Sequence, residues 1–159
     1  MSSSYFDRNI CLLTVQRGVG AVPIFADPLE YKIFLKLLRR YKGIYCVRIF
    51  AFCLLPSAVY LVAGADDTHV VSQFLEKVNQ DFCDFIRVRD GSQRCLQIGR
   101  SRIVVIEDDR ALADIVAFVD SFPVRRGLVR REEDYEWSSF CFRAFGINNG
   151  MLEKLDVCL

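Results

Sequence analysis

The order of elements in this 159-residue chain predicts an α+β fold of the ferredoxin-like class, an antiparallel sheet with helices packed on it. Three observations carry that reading. Four runs rich in β-branched and aromatic residues punctuate the sequence. The second and third are separated by little more than Pro56, a gap that suits an antiparallel hairpin. Segments with apolar residues at helical spacing follow the first, third and fourth runs, the first and last of them opened by acidic residues suited to capping.

Residues 10 to 16, ICLLTVQ, read as a first strand ended by the glycine-rich RGVGA. Asp27, Pro28 and Glu30 then supply a capping carboxylate, a proline at the first helical position and an acid three residues past the cap. Leu29, Ile33, Leu37 and Tyr41 recur at helical spacing, and Gly43 is placed to stop the helix. IYCVRIFAFCLL and SAVYLVAG make the hairpin, expected at the centre of the sheet. A second helix is expected from Thr68 to Arg89, with Val71, Phe74, Leu75, Val78, Phe82 and Phe85 on its apolar side. Gly91 opens a loop and SRIVVIED supplies the fourth strand. A third helix from Asp109 buries Leu112, Ile115, Val116 and Val119 until Pro123 forbids its continuation. The order β, α, β, β, α, β, α fills one domain over residues 1–159, with no repeat or linker.

A formal net charge of +1 gives no global field to draw the chain to DNA or a membrane, but the basic residues cluster. Arg39, Arg40 and Lys42 close one helix, Arg87 and Arg89 another, and RRGLVRR holds Arg125, Arg126, Arg130 and Arg131. The seven cysteines are odd in number and never spaced C-x-x-C, with Cys46 and Cys53 inside apolar strand patterns. That usage points to buried thiols in a reducing cytoplasm, not to disulfides or a zinc site. No apolar run is long enough to span a bilayer, and MSSSYFDRN lacks the apolar segment of a secretion signal.

Several motifs, taken in order, resemble one family, the single-tyrosine HUH transposases, and in particular the REP-associated tyrosine transposases and their insertion-sequence relatives. Members of that family show SRGNNRQPIF, AYCLMPNHVHLL, LNGRY, GHLFQGRFKSILVEDD, YIHLNPVRAGLV and PEDYPWSSY. This chain gives VQRGVGAVPIF, AFCLLPSAVYLV, VNQDF, RCLQIGRSRIVVIEDD, FVDSFPVRRGLV and EEDYEWSSF. The match runs from about residue 11 to 146 and leaves residues 147–159 as a tail.

The resemblance implies a chemistry that the residues here contradict. In such enzymes two histidines of the hairpin hold a divalent cation, Mg2+ or Mn2+, and a helical tyrosine attacks phosphorus in single-stranded DNA. By the resemblance the histidines fall at Ala58 and Tyr60, the nucleophile at Phe118, and an asparagine ligand at Phe122. Positions 118 and 122 lie one helical turn apart, as joint work on one phosphate requires. Alanine has no donor atom, phenylalanine has no hydroxyl, and a neutral phenol of pKa about 10 is a poor partner for a hard cation. The expectation is therefore a chain with no catalytic residues and no metal cofactor, its old pocket repacked with one small and one large side chain.

Tyr60 as a relocated nucleophile is the competing reading, but a strand phenol without a metal or base has little to activate it; it is expected to be half-buried with its hydroxyl at solvent. His69, the only histidine, is read as a surface or capping residue, and Glu107, Asp108 and Asp109 as a helix-start cap, not a metal cluster. Arg17, Arg100 and Arg125 stand where the resembling motifs carry arginine, and Arg126, Arg130 and Arg131 add charge beside them. These six are the candidate DNA contacts. Against them, NNR has become VGA, and the aromatic and amide of LFQGRF have become Gln97, Ile98 and Ser101. Three functions stay open: an inactive domain that binds hairpin or single-stranded DNA, a protein-interaction or structural module, and a transposase with an unconventional site. Family precedent implies a homodimer.

Overall fold

The computed structural model describes residues 9–18, 20, 23–91, 101–146 and 150–153. The apolar runs form strands β1 (Ile10–Arg17), β2 (Arg48–Leu55), β3 (Ala58–Ala65) and β4 (Arg102–Ile106). Between them lie helices α1 (Pro28–Ile44) and α2 (Thr68–Asp90), and after β4 come α3 (Asp109–Asp120), the short α4 (Phe122–Arg125) and α5 (Ser139–Ala144). The sheet order is β2-β3-β1-β4 with every neighbouring pair antiparallel. Because β3 opposes both β1 and β2, those two run parallel with β3 between them, the split βαβ arrangement of the expected class.

The β2–β3 hairpin is not the centre of this sheet: β3 and β1 are, and β2 lies at an edge. Yet β2 is apolar and buried from Ile49 to Leu55, because residues far along the chain cover its outer side. Leu54 N donates to Trp137 O at 2.9 Å, Phe52 N to Ser139 Oγ at 3.0 Å, and Glu153 N to Ile49 O at 2.7 Å. The Arg143 guanidinium donates to Phe50 O at 2.8 Å. With its backbone groups satisfied, this edge offers nothing to another strand. At the other edge β4 has no such cover among the described residues, and Ile103, Val104 and Val105 are exposed.

Helix α1 starts as its sequence predicts, the Asp27 side chain accepting from Glu30 N at 3.2 Å. Its buried stripe sits elsewhere: Tyr31, Phe34, Leu38 and Tyr41 face the core, while Leu29 is exposed and Ile33 and Leu37 flank it. Both stripes have helical spacing, and the one with larger aromatic area wins the interior. The helix continues through Gly43, and the chain turns at Cys46, whose φ is 54°. Cys46 is thus an exposed turn residue, not a strand residue. Helix α2 is capped by Asp67, which accepts from His69 N at 2.8 Å, and ends at Gly91 with φ 69°. His69 itself is exposed at the cap. Asp108 caps α3 by accepting from Ala111 N at 2.7 Å, so the acidic run does serve a helix start. Arg89 ties α2 to the start of α1 by donating to Asp27 at 3.1 Å and Glu30 at 3.2 Å.

The sheet separates two cores. One, beneath α1 and α2, includes Leu12, Phe34, Phe52, Leu61, Phe74, Phe82 and Ile86. The other, beneath α3, includes Cys11, Phe50, Cys53, Ala58, Tyr60, Val62, Val116, Val119 and Phe122. Ala58 and Tyr60 thus emerge on the α3 side, and the turn from α3 into α4 reaches them.

Candidate nucleic-acid interface

The alternation of β3 sends Ala58, Tyr60 and Val62 to the α3 face. In the sheet register Ala58 stands opposite Arg17 of β1 and Leu55 of β2, and Tyr60 opposite Val15 and Cys53. From the other side, Phe118 on the last turn of α3 and Phe122 at the first position of α4 descend on them. The Tyr60 and Phe122 rings lie 4.2 Å apart between centroids and the Phe122 and Phe118 rings 4.7 Å apart. Exposure rises along this row, from 5% at Tyr60 and 9% at Phe122 to 43% at Phe118. The sequence-predicted positions 58, 60, 118 and 122 are therefore brought together, three of them buried. Phe118, the position matched to the nucleophile, is the exposed end of this row, so carbon fills the space among the four positions and its last ring reaches the surface.

Tyr60 is more enclosed than the sequence suggested. Its hydroxyl is not left to solvent: it accepts from the Arg126 guanidinium at 3.2 Å. The neighbouring arginine is held differently. Ser121, between α3 and α4, donates its hydroxyl to Phe118 O at 2.6 Å and accepts from Arg125 Nε at 2.7 Å. This aims the Arg125 guanidinium over the Phe118 ring, 5.0 Å from its centroid.

Of the other candidate contacts, Arg17 is exposed at the end of β1 in register with Ala58. Arg130 is exposed beyond α4, and Arg131 pairs with Glu133, which offsets its charge. Arg100, with Gln97 and Ile98, lies outside the described residues.

Sequence reasoning missed a buried network behind this site. Asp120, at the end of α3, accepts from Ser139 Oγ at 2.7 Å and pairs with Arg143, joining α3 to α5 and to the edge of β2. Burial outweighs the pull of Arg143 and holds the Asp120 carboxyl above its ordinary range. The signal was an acid inside the apolar face of α3, beside Val116 and Val119. Burial also pushes the Cys11 and Cys53 thiols up to about 12, so neither is a nucleophile near neutral pH.

The residues at this site do not fit a divalent metal. Ala58 presents a methyl group, Phe118 and Phe122 present hydrocarbon, and the one oxygen, that of Tyr60, already accepts from a guanidinium, whose positive charge further disfavours a cation there. Among the described residues no group of three or more His, Cys, Asp or Glu is arranged to hold one.

Comparison with known proteins rests on shape. No family model matches the sequence, and no curated protein matches it. The solved structure of a REP-associated tyrosine transposase bound to a REP hairpin is similar with a TM-score of 0.72 at 15% identity, over 100% of this chain and 91% of that one. A candidate transposase from Deinococcus radiodurans R1 is similar with a TM-score of 0.52 at 11% identity, over 76% of this chain and 96% of that one. The chain thus has a tyrosine-transposase-like fold, an antiparallel four-stranded sheet between helical layers, with an arginine-lined row of aromatic rings at positions 60, 118 and 122.

Proposed function

We propose that this protein binds hairpin or single-stranded DNA without cleaving it. The observation that carries the reading is the pair Arg125 and Arg126, whose guanidinium groups lie at the two ends of the ring row Tyr60, Phe122, Phe118, of which Phe118 is exposed. Arginine forks suit phosphate oxygens, and aromatic faces suit unpaired bases. The neighbour of similar fold bound to a REP hairpin supports DNA as the partner class. Cleavage is absent from the proposal because positions 58, 60, 118 and 122 supply no metal donor set and no activated nucleophile. The buried thiols accord with a reducing cytoplasm as the working compartment. The test is a mobility-shift titration with a hairpin oligonucleotide carrying a single-stranded flank at low salt. A shift that weakens steeply with salt is expected, and failure to shift any such oligonucleotide removes the proposal.

A second reading has its own support. The β4 edge carries Ile103 at 51%, Val104 at 43% and Val105 at 58% exposure, an apolar strand edge of the kind that pairs with another strand. A second copy of this chain, adding its own β4 antiparallel, makes the protein a homodimer. Light scattering across a dilution series checks it, and a Val104→Lys variant is expected to shift the mass to that of one chain.

A further inference from the structure

We infer that Tyr60, Phe118, Arg125 and Arg126 form a metal-independent site for one phosphodiester and an adjacent unpaired base of single-stranded DNA. This deepens the DNA-binding reading and rests on it.

The site replaces one kind of cation with another. Arg126 stands where the resembling motif, NPVRAGLV, has alanine, so its charge is an addition to the pattern and not an inheritance. Its guanidinium is held at the inner end of the ring row by the Tyr60 hydroxyl at 3.2 Å, and Tyr60 is itself fixed by the Phe122 ring against it. A guanidinium uses one N–H for that contact and keeps others for a phosphate. Arg125 is held at the other end of the ring row by Ser121 and the Phe118 ring.

Two acids of this region are engaged elsewhere: Asp120 pairs with Arg143, and Glu133 with Arg131. Neither Arg125 nor Arg126 pairs with a carboxylate among the described residues, so both charges are available to an anion. Phe118 supplies the second half of the site. Phe118 is 43% exposed at the end of the aromatic row, with Phe122 packed edge-on against its ring and the Arg125 guanidinium over it. An exposed apolar ring beside Arg125, in a row that ends at Arg126, is a surface on which an unpaired base stacks while its phosphate meets a guanidinium. Tyr60 is a positioning residue here and touches no DNA.

The chemistry also separates holding from cutting. A metal ion grips phosphate through open coordination positions and activates a nucleophile; a guanidinium grips it through N–H donors and stays protonated. The proposed site therefore binds in the presence of chelator, and binding leaves the backbone intact.

The experiment is fluorescence anisotropy with a labelled hairpin bearing a single-stranded flank, and the same hairpin blunt-ended, in EDTA and in Mn2+. For the intact chain, affinity for the flanked hairpin is expected to be equal within about twofold in the two buffers, because the guanidinium groups stay charged in either. Arg126→Gln is expected to weaken it about tenfold and to lower the slope of log affinity against log salt by about 0.7. Arg126→Lys keeps that slope while losing affinity, since the charge stays and the fork goes. Phe118→Ala is expected to cost about fivefold or more on the flanked hairpin and nothing on the blunt one. Tyr60→Phe falls between wild type and Arg126→Gln. Circular dichroism melts of each variant confirm that the fold is kept.

Binding of the flanked hairpin that is indifferent to both Arg126→Gln and Phe118→Ala overturns this inference and leaves the DNA-binding reading standing. An affinity that collapses in EDTA does the same. No binding by the intact chain overturns both.

Discussion

The two faces of the sheet are built from the same kind of side chain and end in opposite ways. Beneath α1 and α2, aromatic rings pack mainly on each other: Phe34 and Phe82 cross edge to face at 5.3 Å, and Phe25 stacks on Tyr31 at 4.3 Å, while Tyr41 at the rim stays 6% exposed with Lys77 over its ring and Asp81 on its hydroxyl. Beneath α3 the ring row runs outward until its last member, Phe118, is exposed under a guanidinium. The ring cluster of Phe25, Phe34 and Phe82 on the first face is buried, so those rings contribute only to stability. The second runs out to charged surface, so its rings can also meet a ligand. What distinguishes scaffold from site is therefore not residue type but where burial stops and what charge waits there.

Substitutions on the two faces sharpen that contrast. Phe82→Ala, a fully buried ring, is expected to cost about 3–5 kcal/mol in a urea titration while leaving the DNA affinity of the folded fraction unchanged. Arg143→Met strands the buried Asp120 carboxylate and is expected to cost about 3 kcal/mol. Its pH dependence follows from the raised carboxyl: protonation favours the folded state. The deficit is therefore largest near neutral pH and shrinks as pH falls toward the ordinary value of 3.8.

Phe118→Ala removes a ring that is nearly half exposed and is expected to cost only about 1 kcal/mol of stability. If it destabilises as much as Phe82→Ala, the second face is scaffold after all. The smallest effect belongs to Asp27→Asn. The Arg89 guanidinium holds the exposed Asp27 carboxyl below its ordinary 3.8, so its contribution is complete above that value and fades as pH falls below it. A small loss of melting temperature at neutral pH that vanishes in strong acid is the expected outcome.

Much of the fold was legible because it is written in local periods. Caps at Asp27 and in the run around Asp108, and apolar spacing in α2 and α3, give the helix starts nearly to the residue. Non-local facts were hidden. That β2 is an edge strand cannot be read from its uniformly apolar sequence, since Ser139, which closes its side at Phe52, comes 87 residues later. Alternation gives the face on which Tyr60 emerges but not what covers it, so its burial and the Arg126 contact were missed. The candidate site was legible as four positions through the resemblance alone. Its new members, Ser121 and Arg126, sit where the motif pattern has leucine and alanine and became visible only in three dimensions.

The central claim is that DNA is held here and not cut. The direct measurement is a denaturing gel of a labelled flanked hairpin after incubation with the protein and Mn2+ under conditions where a native gel shows it bound. The account predicts a single band of uncleaved oligonucleotide. A shortened fragment, or a label that migrates covalently with the protein and is lost in Tyr60→Phe, would contradict it.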